Sequence, residues 1–134
     1  MSLLDGRRVV VLGAEGEVGQ RAAAALAKAG AVLALVSSTT ESANAFAVQR
    51  LARRMGALSQ ALDATNEAAV RVMVRQLSKE MGGIDAAISC VADATARELF
   101  ERHARKEMKR TGEGVFADAT VAADVVAAVA AGRG

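Results

Sequence analysis

The sequence predicts an α/β fold: a doubly wound parallel sheet with helices on both faces. Two observations predict it. The short apolar runs 9–12 and 31–36 lack the polar alternation of a strand wetted on one side, the pattern expected of strands covered on both faces, and 84–91 reads as a further strand. Between them lie segments with apolar residues at three- and four-residue spacing, each closed by glycine, so strands and helices alternate with short connections. Such alternation builds right-handed parallel crossovers.

Taken in order, the first strand covers 8–12 and is followed by a helix over 17–29, with Val18, Ala22, Ala25, Leu26 and Ala29 on one face and Gly30 behind it. The run 31–36 is the second strand. Ser38 is expected to cap the next helix, with Glu41 at capping-box spacing and Phe46, Ala47, Leu51 and Met55 as its apolar stripe up to Gly56. A weaker third strand covers 57–62. Thr65 is expected to cap a third helix with the face Val70, Met73, Val74, Leu77 and Met81, ended by Gly82-Gly83. The fourth strand covers 84–91. From 93 to 110 a charged helix carries Phe100, Ala104 and Met108 at four-residue spacing, and Gly112 and Gly114 break it. Val115-Phe116 reads as a short edge strand and 120–131 as an Ala/Val helix. The expected strand order is 3-2-1-4, with the last two helices or a second copy of the chain covering the early end of the sheet.

At 134 residues the chain amounts to one domain, 1–134. With three Phe and neither Trp nor Tyr, its core must be aliphatic, and no reaction needing a tyrosine phenol can run on it. A net charge of +2 gives no global electrostatic case for nucleic acid or an anionic membrane. The interspersed acids and missing aromatic residues of the charged helix, His103 included, argue against nucleic acid locally. One cysteine, Cys90, excludes an intrachain disulfide and fits a reducing compartment. No apolar run is long enough for a signal peptide or a membrane span, so the cytoplasm is expected. No Cys/His cluster or carboxylate pair has metal-ligand spacing.

The first strand runs into Gly13-Ala14-Glu15-Gly16-Glu17-Val18-Gly19 and then straight into a helix. Glycines there permit a tight turn, close approach of a pyrophosphate and close helix packing, so the segment reads as the phosphate turn of a Rossmann-like dinucleotide site. The bland alternative is a turn kept for packing alone. Glu15 and Glu17 would put two carboxylates beside the pyrophosphate unless they turn away or a cation joins them. After the second strand stand Ser37, Ser38 and Thr39, with no acid until Glu41 and no arginine directly behind, a slight lean toward NADP over NAD. Ser89 and Cys90 end the fourth strand at the ligand-binding edge. Nothing in the sequence places His103 near Cys90 as a base, so the thiol reads as buried and inert, and Ser89 is the group best placed to touch a substrate carbonyl.

Residues 4–92 resemble the N-terminal half of the short-chain dehydrogenase/reductase family, NAD(P)-dependent oxidoreductases. The resemblance rests on Leu4-Asp5-Gly6-Arg7-Arg8-Val9, the glycine turn, Leu62-Asp63-Ala64-Thr65 and Met81-Gly82-Gly83-Ile84-Asp85. It implies that Asp63 contacts the adenine amino group, where the bare sequence leaves a helix cap equally open, and that the turn at Ser89 and Cys90 passes close to the nicotinamide ribose. The chain departs from the family in its glycine spacing, in Ser89-Cys90-Val91-Ala92 after the fourth strand, and in lacking the Tyr-x-x-x-Lys element. Gly16-Glu17-Val18-Gly19-Gln20-Arg21-Ala22-Ala23 and Glu113-Gly114-Val115-Phe116 are also similar to NADP-dependent methylene-tetrahydromethanopterin dehydrogenases. Three functions follow as expectations: the cofactor domain of a short-chain-type oxidoreductase, truncated and not catalytic alone; a cofactor-sensing or interaction module; or the NADP domain of a pterin dehydrogenase. The expected cofactor-binding set is Gly13, Glu15, Gly16, Glu17, Val18, Gly19, Ser37, Ser38, Asp63, Ala64, Ser89 and Cys90. No catalytic residue is assigned, and a homodimer is favoured.

Overall fold

The computed structural model describes residues 2–120 and 124–131. In chain order the elements are β1 (Arg8–Leu12), α1 (Glu17–Lys28), β2 (Val32–Ser37), α2 (Ser42–Met55), β3 (Leu58–Ala61), α3 (Glu67–Met81), β4 (Ala86–Ser89), α4 (Ala94–Thr111), β5 (Val115–Asp118) and α5 (Val125–Ala131). The strands form one sheet in the order β3-β2-β1-β4-β5, all neighbours parallel. The expected order holds, and Val115-Phe116 proves to lie in a fifth strand registered on Ala86 and Ala87.

Because side chains alternate along a strand, β1 feeds two cores. Val9 and Val11 join Leu33, Leu35, Ala86 and Ile88 beneath α1, α2 and α5, whereas Val10 and Leu12 join Ala34, Val36 and Ala87 beneath α3 and α4. Phe100, Ala104 and Met108 are buried in this second core as their spacing predicts. Phe116 packs edge-to-face on Phe100 at 5.9 Å.

Several local expectations are corrected. Ser38 does not cap α2, which begins at Ser42 behind Glu41 without a side-chain cap; Ser38 is held elsewhere, by Glu15. Phe46 is 57% exposed, because α2 buries only Val48 and Ala52. Val18 and Ala25 face solvent, because α1 turns Gly19, Ala22, Ala23 and Leu26 to the sheet. Asn66, not Thr65, caps α3, its Oδ1 accepting from the Ala69 amide at 3.0 Å. Thr65 is already engaged by Asp63. The last helix begins at Val125 rather than 120; Thr120 follows β5 in a turn, and 121–123 lie outside the described residues.

At the amino edge of the sheet Arg8 and Asp85 fasten β1 to the start of β4. The Arg8 amide donates to Asp85 Oδ2 at 2.8 Å, its Nε to the same oxygen at 2.9 Å and its Nη2 to Oδ1 at 3.0 Å, while Nη1 donates to the Gly82 carbonyl. The guanidinium hydrogen bonds hold the Asp85 carboxyl below its usual range, against the opposing effect of burial. The carboxyl edge, opposite, is left to the loops.

Candidate functional site

Since all strands run the same way, the carboxyl ends of β1 to β4, the loops that leave them and the first turn of α1 share one edge, and the candidate cofactor-binding residues lie there. Chain order reverses between β1 and β4, and ligands of open α/β sheets bind outside the carboxyl edge at such a reversal.

The three glycines of the turn do different work. Gly13, at φ 90°, packs on the loop after β4: an added Cβ would lie 3.0 Å from the Cys90 carbonyl and from Val91 Cγ1. At Gly19 a Cβ would stand 2.0 Å from the Gly13 oxygen and 2.7 Å from Ala14 Cα, so this glycine lets α1 sit against the turn. Gly16 is open. It has the ordinary extended backbone of an N-cap, φ −86° and ψ 169°, and a Cβ there would meet only the Gly13 oxygen, at 3.9 Å. α1 has no side-chain cap on its first-turn amides, and a helix N-terminus of that kind can receive an anion such as the pyrophosphate of a dinucleotide.

Both turn carboxylates are engaged by other partners. Glu17 pairs outward with Arg21 at 2.6 Å on the exposed face of α1. Glu15 reaches the end of β2, where Oε1 accepts from the Ser38 amide at 3.1 Å and Oε2 from the Ser38 hydroxyl. Ser37 is buried, its hydroxyl donating to the Thr39 carbonyl at 2.7 Å. The lean toward NADP rested on the lack of a carboxylate at this strand end, and the fold brings one there.

After β3 the exposed Asp63 carboxylate accepts from the Thr65 hydroxyl at 2.6 Å and amide at 3.0 Å, which lowers its pKa. It therefore shapes a turn and caps no helix. Ala64 is buried, and its amide donates to the Ser38 carbonyl at 3.1 Å, joining the loops after β2 and β3. Ser89 is wholly buried, and its Oγ has no partner among the described residues, so the substrate contact expected of it is not available from inside the core. The Cys90 thiol is pushed up to about 12, first by burial and then by the charges of Asp118 and Glu15. His103 stands on α4, its Nε2 buried and 3.9 Å from Glu67 of α3, with burial lowering its pKa.

Sequence reasoning passed over Asp118, which ends β5 at the same edge. Burial acts to raise its carboxyl, but hydrogen bonds from Thr120 and from Arg97 Nε, the latter at 2.7 Å, bring it below the usual range. Arg97 also lies over the Phe116 ring at 5.4 Å. A signal existed: Asp63-Ala64-Thr65 and Asp118-Ala119-Thr120 are the same tripeptide, and both fold into the same aspartate turn around a buried alanine. No cluster of three metal-ligating side chains occurs among the described residues, and no helix there is long and apolar enough to cross a membrane.

The family model described as "Enoyl-(Acyl carrier protein) reductase" matches residues 13–131. The match reaches beyond the 4–92 resemblance through α4, β5 and α5. Similar solved structures include a short-chain type dehydrogenase/reductase from Mycobacterium ulcerans (TM-score 0.74, 24% identity, 88% of this chain and 52% of that one). An NAD+-bound xylitol dehydrogenase has TM-score 0.72 at 19% identity, over 97% of this chain and 60% of that one. An enoyl-(acyl-carrier-protein) reductase from Anaplasma phagocytophilum, in complex with NAD, gives 0.72 at 19%, over 87% and 54%. A search of curated proteins gave no match. The chain thus spans between half and two thirds of the length of these structures. The Rossmann sheet, the glycine turn at its switch point and the family match over 13–131 together make this chain a member of the short-chain dehydrogenase/reductase family.

Proposed function

We propose that the chain binds a nicotinamide dinucleotide along the carboxyl edge and serves as the cofactor-holding part of a short-chain-type oxidoreductase. One observation carries this: the opening at Gly16, where uncapped helix amides meet a glycine whose side-chain position is free. In the reading, the amides at the start of α1 hold the pyrophosphate, with Val18 at its flank. Ser38 and Glu15 meet the adenosine ribose, Asp63 and Ala64 border the adenine, and the loop at Cys90 borders the nicotinamide end. The bound cofactor supplies hydride transfer, and the chain supplies position and electrostatics. A phenol acid is no part of this, since the 134 residues hold no tyrosine.

That lack favours a second reading, a cofactor-sensing or interaction module without chemistry; hydride transfer by the isolated chain would eliminate it. A cytoplasmic setting and a homodimer belong to the proposal, the dimer read from the edge strand β5 and checked by sedimentation. Calorimetric titration with NAD, NADH, NADP and NADPH tests the binding itself. Micromolar binding of one pair supports the reading, and a folded chain that binds none of the four refutes it.

A further inference from the structure

The geometry points to Glu15 as the residue that selects the cofactor: its carboxylate, delivered to the end of β2 from the glycine turn and fixed by Ser38, accepts the ribose hydroxyls of NAD and repels the 2′-phosphate of NADP. The inference rests on the binding proposed above.

Nucleotide-binding sheets of this kind set a carboxylate at the second strand end to receive the adenosine ribose. Here β2 itself brings only Ser37, Ser38, Thr39 and Thr40. Glu15 lies 23 residues earlier in the chain, yet it reaches the same place. Two donors of one residue, the Ser38 amide at 3.1 Å and the Ser38 hydroxyl, fix its two oxygens. The Ser38 carbonyl is held in turn by the Ala64 amide at 3.1 Å, so the pair is anchored to the loops after both β2 and β3. Each carboxylate oxygen has a second lone pair, so the acid remains an acceptor for a diol. It is half-buried, without an arginine or lysine among its hydrogen-bond and ion-pair partners in the described residues. The sequence offers no cation from 37 to 49 to receive a phosphate dianion. A fixed carboxylate with no compensating cation admits a neutral diol and disfavours a dianion.

The test is calorimetric titration of the full chain with NAD+ and NADP+, on the wild type, Glu15→Gln and Ser38→Ala, with thermal melts as the folding control. The wild type should bind NAD+ about tenfold or more tightly than NADP+, the scale of one charge repulsion near the surface. Glu15→Gln keeps an acceptor for Ser38 but removes the charge, so NADP+ should gain and the ratio approach one. Ser38→Ala frees the carboxylate and should leave an intermediate ratio. A wild type preferring NADP+, or a ratio that Glu15→Gln leaves unchanged, overturns the assignment while leaving cofactor binding intact. A folded wild type that binds neither overturns both.

Discussion

Gly16 and Gly19 stand three residues apart in one turn, and the structure gives substitutions at them opposite consequences. At Gly16 the backbone is one any residue adopts, and an added Cβ meets nothing closer than 3.9 Å. Gly16→Asp places a good capping side chain at the N-cap of a helix that lacks one, next to its positive end. Stability should rise by a few tenths to about 1 kcal/mol. The same carboxylate would stand where the pyrophosphate is proposed to bind. At about 4 Å one charge pair costs about 1 kcal/mol in water and about 4 kcal/mol near a protein surface, about a fivefold to a thousandfold loss of affinity. Gly19→Ala behaves otherwise. Its methyl would lie 2.0 Å from the Gly13 oxygen and 2.7 Å from both Ala14 Cα and the Gly13 carbonyl carbon, backbone atoms that no rotamer change can move. Overpacking of this kind costs about 3 kcal/mol or more, and a chain of this size should melt about 10 °C lower. Urea denaturation and cofactor calorimetry on both variants give the four numbers needed. If Gly16→Asp binds cofactor as well as the wild type does, the cradle is in the wrong place. If Gly19→Ala melts normally, the packing argument fails.

Three further outcomes follow from the geometry. Asp85→Asn should cost about 1–3 kcal/mol, since it weakens a charge-assisted set of hydrogen bonds that is only partly solvent-exposed. The folded carboxyl titrates below its unfolded value near 4, so the contribution is complete above that value and is lost as acid carries the pH down through the folded one. The gap between wild type and variant in urea melts should therefore close below about pH 4 and stay open at neutrality. Ser89→Ala should be neutral or stabilising by up to about 1 kcal/mol, because it removes an oxygen buried without a partner; a large loss on denaturation would reveal a bond the geometry does not show. Cys90, its thiol pushed up to about 12, should resist iodoacetamide at pH 8 in the folded chain and react on unfolding. Rapid labelling of the native state would contradict that burial.

What could be read in the sequence was what periodicity encodes. The run Val9-Val10-Val11-Leu12 declares a strand covered on both faces, and the structure divides it between two cores. Phe100, Ala104 and Met108 likewise declare their helix face. Caps were less legible, because a capping side chain has to be free: Ser38 is taken by Glu15 and Thr65 by Asp63, and the helices start later, α2 behind Glu41 and α3 behind Asn66. At the site, the glycine turn was visible as spacing. The destination of Glu15 was not, because its partner lies 23 residues away and only the parallel pairing of β1 with β2 brings the two together. The burial of Ser89 follows from a fifth strand beside β4, which three apolar residues between a glycine and an aspartate announce only faintly.

The Arg8–Asp85 clamp and the glycine turn occupy opposite ends of the same strand, β1. The proposed cofactor site lies at one rim, and a charged fastening for the fold sits at the other. Sequence drift in the recognition loops can therefore proceed without loosening the fastening, and reinforcement at the clamp can offset the instability that new loops bring. A chain organised this way can change what it binds while keeping its architecture, and the Arg8 end is where a protein engineer should add stability before altering the other.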